Sequence, residues 1–212
     1  MKAATLHENK KPTATTIPIM EQFLTLQGEG CHTGKAAYFI RTGGCDVGCH
    51  WCDVKESWDA DSHPMTSLEE LAEKVQNQPA EIVVVTGGEP MMYDMDLLTE
   101  MIQSCGRRTH VETSGAHTLT GIWDWICFSP KKFKQPKEEF YQFAHELKVV
   151  VYHPKDLEWA ETHAEKMHED ALLYLQPEWS RKDQMMPLIV DYIKANPKWR
   201  LSLQTHKYLN IP

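Results

Sequence analysis

No apolar stretch approaches the ~20 residues that a membrane-spanning helix requires; the longest conspicuous run is Ile82-Val83-Val84-Val85. The opening MKAATLHENKKPTATT lacks the apolar core of a secretory signal. Positive charge is in short supply, with 22 Lys and Arg against 30 Asp and Glu and a net charge of −8. General nucleic-acid binding relies on cations that neutralise phosphates, so this balance disfavours it. The small basic cluster of Lys131, Lys132, Lys134 and Lys137 reads as a solvated loop. There is no internal repeat and no low-complexity segment, and 42% hydrophobic with 25% charged residues excludes disordered and collagen-like classes. These absences leave the expectation of a soluble, cytoplasmic globule with no membrane partner and no direct nucleic-acid partner. Its 212 residues favour a single domain.

Residues 1–16 are polar and aperiodic and read as a flexible N-terminal extension, with one folded domain over 17–212. Ala36–Arg41 reads as a strand, and a glycine-rich loop follows at once. Ser67-Leu68-Glu69-Glu70 is a capping box opening a helix whose apolar face carries Leu68, Leu71, Ala72 and Val75. Glu81–Thr86 is a buried strand, and Leu97, Leu98, Met101, Ile102 and Cys105 give the next helical stripe. Further strands are expected at Thr109–Thr113, Trp125–Phe128, Leu147–Tyr152, Leu172–Gln176 and Arg200–Thr205. Helices are expected around Lys155–His168 and Lys182–Ala195, the latter stopped by Asn196-Pro197, with their Met and aromatic residues in the core. Strands separated by helices predict an α/β fold with a parallel sheet and right-handed crossovers. A complete eightfold barrel needs ~250 residues, so an incomplete, (β/α)6-type partial barrel is expected, with its chemistry at the carboxyl ends of the strands.

Cysteine is scarce outside one place. Of six, Cys45, Cys49 and Cys52 crowd into Cys45-Asp46-Val47-Gly48-Cys49-His50-Trp51-Cys52, while Cys31, Cys105 and Cys127 read as buried or idle. Such crowding in a long cytosolic chain points to metal or catalysis rather than to disulfides. Structural zinc closes with four protein ligands, so three thiolates suit an iron–sulfur cubane better. Such clusters normally take four cysteines; three leave one iron open to a substrate or cofactor. Recruitment of Cys31 or His50 as a fourth ligand would make a zinc site instead.

The C-x3-C-x2-C spacing with Trp51 before its last cysteine resembles the radical S-adenosylmethionine superfamily, and Thr86-Gly87-Gly88-Glu89-Pro90 after a strand supports the likeness. There the open iron chelates S-adenosylmethionine, whose reductive cleavage yields a radical that abstracts a substrate hydrogen. Glycines let backbone approach such a ligand, and the Glu89 carboxylate could anchor its ammonium. Leu26-Gln27-Gly28-Glu29-Gly30, VETSG, SPK, QPE and Leu203-Gln204-Thr205-His206-Lys207 are similar to the 7-carboxy-7-deazaguanine synthase family, from about Ile17 to Pro212.

The resemblance implies ring contraction of 6-carboxy-5,6,7,8-tetrahydropterin with ammonia release in queuosine and deazapurine biosynthesis, S-adenosylmethionine being used catalytically. It makes 17–212 the catalytic domain. It also implies a [4Fe–4S] cluster on Cys45, Cys49 and Cys52, a flavodoxin or ferredoxin donor, and a homodimer. Leu26, Gln27, Gly28, Glu29, Arg41, Thr86, His206 and Pro212 would meet the substrate. Trp51, Cys52, Asp53, Gly88, Glu89, Ser129, Pro130, Lys131, Gln176, Pro177, Glu178 and Trp179 would face the cofactor. The residue types agree: Arg41 can hold a carboxylate bidentately, Gln27 and Glu29 can accept from a pterin, and His206 can bond the ring or move a proton. Arg41, Glu29 and His206 are the catalytic candidates. One position departs. The family's magnesium commonly takes a hydroxyl ligand two residues after the last cysteine, where Val54 has no oxygen to offer. Trp179 after Gln176-Pro177-Glu178 marks a second variant position. Competing readings are another radical enzyme, such as an activase or a related pterin synthase, and a non-catalytic zinc-binding module.

Overall fold

A computed structural model describes residues 15–212. The expected N-terminal extension lies outside the described residues except at its end. There the Thr15 carbonyl accepts from Leu68 N–H and Thr16 already opens a strand.

The elements in chain order are β1 (Thr16–Leu26), β2 (Ala36–Thr42), β3 (Met65–Ser67), α1 (Leu68–Gln76), β4 (Ile82–Gly87), α2 (Asp96–Ser104) and β5 (Arg108–Thr113). Then follow β6 (Trp125–Phe128), α3 (Glu139–Phe143), β7 (Glu146–Val151), α4 (Asp156–Ala164), β8 (Leu172–Pro177), α5 (Lys182–Ala195), β9 (Trp199–Leu201) and α6 (Thr205–Leu209). All nine strands form one sheet in the order β3-β1-β2-β4-β5-β6-β7-β8-β9. From β2 to β9 each neighbouring pair is parallel, whereas β1 runs antiparallel to both β2 and β3. The sheet ends at β3 and β9 without closing, as an incomplete barrel requires.

Alternation along each strand decides what the two faces carry. Val83, Val85, Val111, Ile126, Phe128, Leu147, Val149 and Leu175 point outward into the main core, where helices cover them. The inner face is divided. Its β2/β4 half is apolar, with Ala37, Phe39, Ile82 and Val84 packed together and Phe23 of β1 stacked on Phe39. Its β5–β8 half carries buried polar groups: His110, Glu146, Lys148 and Gln176.

Four expectations need correction. No strand was assigned before Ala36, yet β1 pairs there despite Pro18, with a register shift between Ile19 and Glu21. No helix links β5 to β6, and α3 spans only five residues, so the alternation of strand and helix fails there. The helix α4 is also shorter than expected, Asp156–Ala164. The expected strand Arg200–Thr205 ends at Leu201, since Thr205 bonds the Gly28 carbonyl through both its N–H (2.9 Å) and its hydroxyl (3.1 Å) and starts α6.

Candidate active site

A cavity of about 530 Å³ opens at the carboxyl ends of the parallel strands, within the range of small-molecule sites. One side of it is built by two loops fastened to each other. After β2, Gly43 N–H donates to Pro18 O, Gly44 N–H to Ser57 O and Cys45 N–H to Trp58 O. After β4, Gly88 N–H donates to Thr42 O (3.1 Å) and Glu89 N–H to Gly44 O (2.9 Å). A Cβ on Gly88 would stand 2.2 Å from Gly44 O and 2.7 Å from Cys45 Cβ. Backbone contact with the cysteine loop is therefore what demands glycine at that position.

Cys45, Cys49 and Cys52 share one small apolar cluster with Val47, Trp51 and Ala116, and all three line the cavity. Burial pushes the Cys49 thiol up to about 11 and raises Cys45 as well. Neither proposed fourth ligand joins them. Cys31 donates its N–H to Glu146 Oε2 (2.9 Å), and the His50 ring lies edge-on to Phe133 and Tyr152. Three thiols in an apolar setting beside a roomy cavity fit a cluster with one open iron better than a four-ligand zinc site.

The expectation for Glu89 changes. Its Oε1 accepts from Met91 N–H (3.0 Å) and the Thr113 hydroxyl (2.5 Å); its Oε2 accepts from the N–H (2.8 Å) and hydroxyl of Ser114. A carboxylate has about four acceptor positions, so Glu89 spends its capacity tying the β4 end to β5 rather than offering a free oxygen to an ammonium.

Facing this wall, Lys131 Nζ donates to the Ser129 carbonyl and hydroxyl and stands 6.0 Å from the Trp51 ring. Burial lowers its ammonium. Glu178 accepts from Ser180 N–H and hydroxyl, and Gln176 Oε1 accepts from Ser202 (2.7 Å). Trp179 meets Lys182 and Lys207 on its ring and Tyr208 edge-on. Asp53 Oδ2 is paired with Lys207 Nζ at 2.5 Å. Ser129, Gln176, Glu178, Trp179 and Asp53 line the cavity; Pro130 and Pro177 do not.

The residues expected to meet the substrate, Leu26, Gln27, Gly28, Glu29, Arg41, Thr86, His206 and Pro212, all line the same cavity. Thr25 donates its hydroxyl to the Pro212 oxygen (3.0 Å), which holds Pro212 at the mouth. Arg41 is not wholly free, because its Nε donates to Glu21 at 2.6 Å. The α6 helix brings the His206 ring against Gly28, where a Cβ would lie 2.2 Å from Nδ1. Burial holds His206 below its ordinary value, so the ring is neutral at neutral pH.

The charged centre was largely missed from sequence. Lys148, with only 4% of its side chain exposed, donates to Glu29 Oε2 and reaches Glu112 Oε2 at 3.4 Å. Gln204 Nε2 donates to Glu29 Oε1 and Gln27 Nε2 to Glu112 Oε1, both at 2.9 Å. Burial works to raise the Glu29 carboxyl, but Lys148, with Gln204 and His206, overcomes it and holds it at about 2. Burial likewise works to lower Lys148, and the surrounding Cys127, Glu112 and Glu29 hold it well above its ordinary value. The available signal was a lone cation in Leu147-Lys148-Val149-Val150-Val151, an otherwise apolar strand.

A sequence model of the Radical SAM superfamily matches residues 39–128. Over 92% of its length the chain is 58% identical to the 7-carboxy-7-deazaguanine synthase of Flavobacterium psychrophilum, of which 93% is covered. The corresponding enzyme of Synechocystis sp. is 47% identical over 92% of this chain and 93% of its own. The crystal structure of QueE from Escherichia coli matches with a TM-score of 0.80 at 32% identity, covering 89% of this chain and 93% of that one. With its three-cysteine loop and its Gly87-Gly88 edge inside the matched superfamily segment and about nine-tenths of its length matched by these relatives, the chain belongs to the 7-carboxy-7-deazaguanine synthase family of radical S-adenosylmethionine enzymes.

Proposed function

We infer that the chain is a 7-carboxy-7-deazaguanine synthase, contracting the ring of 6-carboxy-5,6,7,8-tetrahydropterin with loss of ammonia. The observation that carries this reading is a single cavity walled on one side by the cysteine loop and on the other by Gln27, Glu29, Arg41 and His206. When bound, a [4Fe–4S] cluster on Cys45, Cys49 and Cys52, with S-adenosylmethionine, would supply abstraction of a substrate hydrogen atom.

This chain's residues bind and orient around that chemistry. Arg41, with its Nε on Glu21, keeps the two terminal nitrogens of its fork for the substrate carboxylate. Glu29 stays ionised, and Lys148 and Gln204 fix its orientation as an acceptor for ring N–H groups. The neutral His206 ring can accept or donate a hydrogen bond at the ring as nitrogen departs. Trp51, Ser129 and Lys131 line the cavity near the cysteines as the cofactor wall.

The residues do not fit the magnesium ion that the family resemblance implies. Val54 has no side-chain oxygen, and the neighbouring Asp53 carboxylate is already paired with the Lys207 ammonium. No step is derived through magnesium. A flavodoxin or ferredoxin as electron donor, a homodimer and a cytoplasmic setting complete the reading, and the reducing cytoplasm suits an oxygen-labile cluster. Among the described residues no helix is long and apolar enough to cross a membrane.

The test is anaerobic turnover of the reconstituted protein with S-adenosylmethionine, reductant and 6-carboxytetrahydropterin, read by mass spectrometry. The expected result is 7-carboxy-7-deazaguanine in excess over cofactor consumed. Slow 5′-deoxyadenosine without deazaguanine would refute the substrate, and zinc without iron or sulfide would refute the radical chemistry.

A further inference from the structure

The cysteine loop is tied down by its backbone at the start, where Gly44 and Cys45 donate to the carbonyls of Ser57 and Trp58. Beyond that point such ties stop. Among the described residues, no backbone group of residues 46–51 bonds to backbone outside the loop. Gly48, with φ at +77°, bends the chain in the middle of this stretch. A segment of this kind owes its shape to side chains, and the relative placing of Cys45, Cys49 and Cys52 depends on that shape.

One carboxylate supplies what the backbone does not. Asp46, directly after Cys45, is met on both oxygens: His117 Nε2 stands 2.9 Å from Oδ1, and Lys134 Nζ stands 2.5 Å from Oδ2. A carboxylate only accepts, so His117 Nε2 carries the proton of its bond. The two partners come from different connections, one after β5 and one after β6, and are 71 and 88 residues from Asp46 in sequence. Lys134, which reads from sequence as part of a solvated loop, is therefore engaged. Ala116, beside His117, belongs to the apolar cluster of Val47 and Cys49, so this one segment grips the loop through an apolar and a polar contact. Farther along, His50 lies edge-on to Phe133, the neighbour of Lys134, and to Tyr152 after β7.

The position of this clamp is more telling than its strength. The Asp46 side chain is 42% exposed, Lys134 33% and His117 23%, and pairs so open to water add little to global stability. Cys45, Cys49 and Cys52 line the large cavity, whereas Asp46, His117 and Lys134 do not. The clamp thus stands behind the loop and acts through it, without touching cofactor or substrate.

We propose that Asp46 is a positioning residue for the iron–sulfur cluster. Clamped by His117 and Lys134, it holds the arch from Cys45 to Cys49 in the shape that presents the three sulfurs together, and it keeps the bound cluster from losing iron. The role rests on the reading of Cys45, Cys49 and Cys52 as cluster ligands and is independent of the substrate.

Wild type, Asp46→Ala, Lys134→Met and the double variant are reconstituted anaerobically, and the decay of cluster absorbance is timed after an iron chelator is added. Asp46→Ala is expected to release iron about three- to fivefold faster, the range open to a partly exposed ion pair, and Lys134→Met faster than wild type by a smaller factor. The double variant is expected to be no faster than Asp46→Ala, because both changes remove the same clamp. Lys134→Arg, which keeps the charge, is expected to hold the wild-type rate. Melting temperatures of the metal-free chains are expected to coincide. A wild-type rate in either single variant, independent effects that multiply in the double variant, or iron loss that tracks a lowered metal-free melting temperature would overturn the proposal. Should Asp46→Ala fail to fold, Lys134→Met, on a different loop, decides. A wild-type chain that takes up zinc, with neither iron nor sulfide, overturns the cluster reading itself and the proposal with it.

Discussion

Glu29 and Lys148 lie 119 residues apart in sequence and meet at the centre of the inner face. Each is tolerable there because of the other, since a buried charge without a partner is costly. The pH dependence follows from the sign. The folded-state carboxyl of Glu29 sits at about 2 against an ordinary 4.5, so its contribution is complete above 4.5 and is lost as pH falls toward 2. Urea midpoints of the wild type should therefore drop through that acid window, and those of Glu29→Gln should drop less. A parallel fall in both would refute the assignment. Val54 supports a second expectation: wild-type turnover should withstand chelators, whereas Val54→Thr should gain activity with added Mg²⁺. Equal chelator sensitivity in the two would contradict it. Glu29, Arg41 and His206 were legible as residue types, but their partners were not. Glu21 could not be matched to Arg41 without knowing that β1 pairs with β2, and Lys148 stood in a strand whose neighbours all read as core.

At the scale of elements, local chemistry was readable wherever it dictated local structure. Ser67 accepts from Glu70 N–H at the start of α1, as its capping box implies, and α5 spans the residues marked out by Asn196-Pro197. It was unreadable where a distant element decided the conformation. Pro18 speaks against a strand, yet β2 and β3 on either side hold β1 in the sheet. The segment after Leu201 has strand-like residues, yet Gly28 of a remote loop draws Thr205 into α6. The loop after β4 gives a sharp test. Gly88→Ala places a methyl group against backbone that cannot rotate away, so an overpacking cost of roughly 1–3 kcal/mol is expected. Iron content per chain after reconstitution should fall with thermal stability, whereas Gly34→Ala, which strains a backbone at φ +86° but brings no atom within 4 Å of its Cβ, should lose stability and retain its iron. Full iron loading of Gly88→Ala would show that the two loops are not coupled.

Over the whole molecule, the α/β class and the placing of the chemistry at one end of the sheet followed from the order of strands and helices. So did the open edges, from a length too short for a complete barrel; the antiparallel start and the divided inner face did not, because they depend on pairing across long separations. Thr25 of the first strand and Pro212 beyond α6 close the same mouth. A tail fused after Pro212 should therefore cut kcat/KM about tenfold or more while leaving the melting temperature in place, since small misplacements near reacting groups are expensive. A fully active fusion would place Pro212 away from the cavity.

The two loops fastened through Gly44, Gly88 and Glu89 also bear on the life of the enzyme after it is made. Their bonds run from peptide to peptide, anchored on β2 and β4, which are neighbours in the middle of the sheet. The cradle is thus assembled by folding and maintained by folding. A cluster destroyed by oxygen is a lost part in a standing frame, and repair is a matter of redelivering iron and sulfide rather than of making the chain anew.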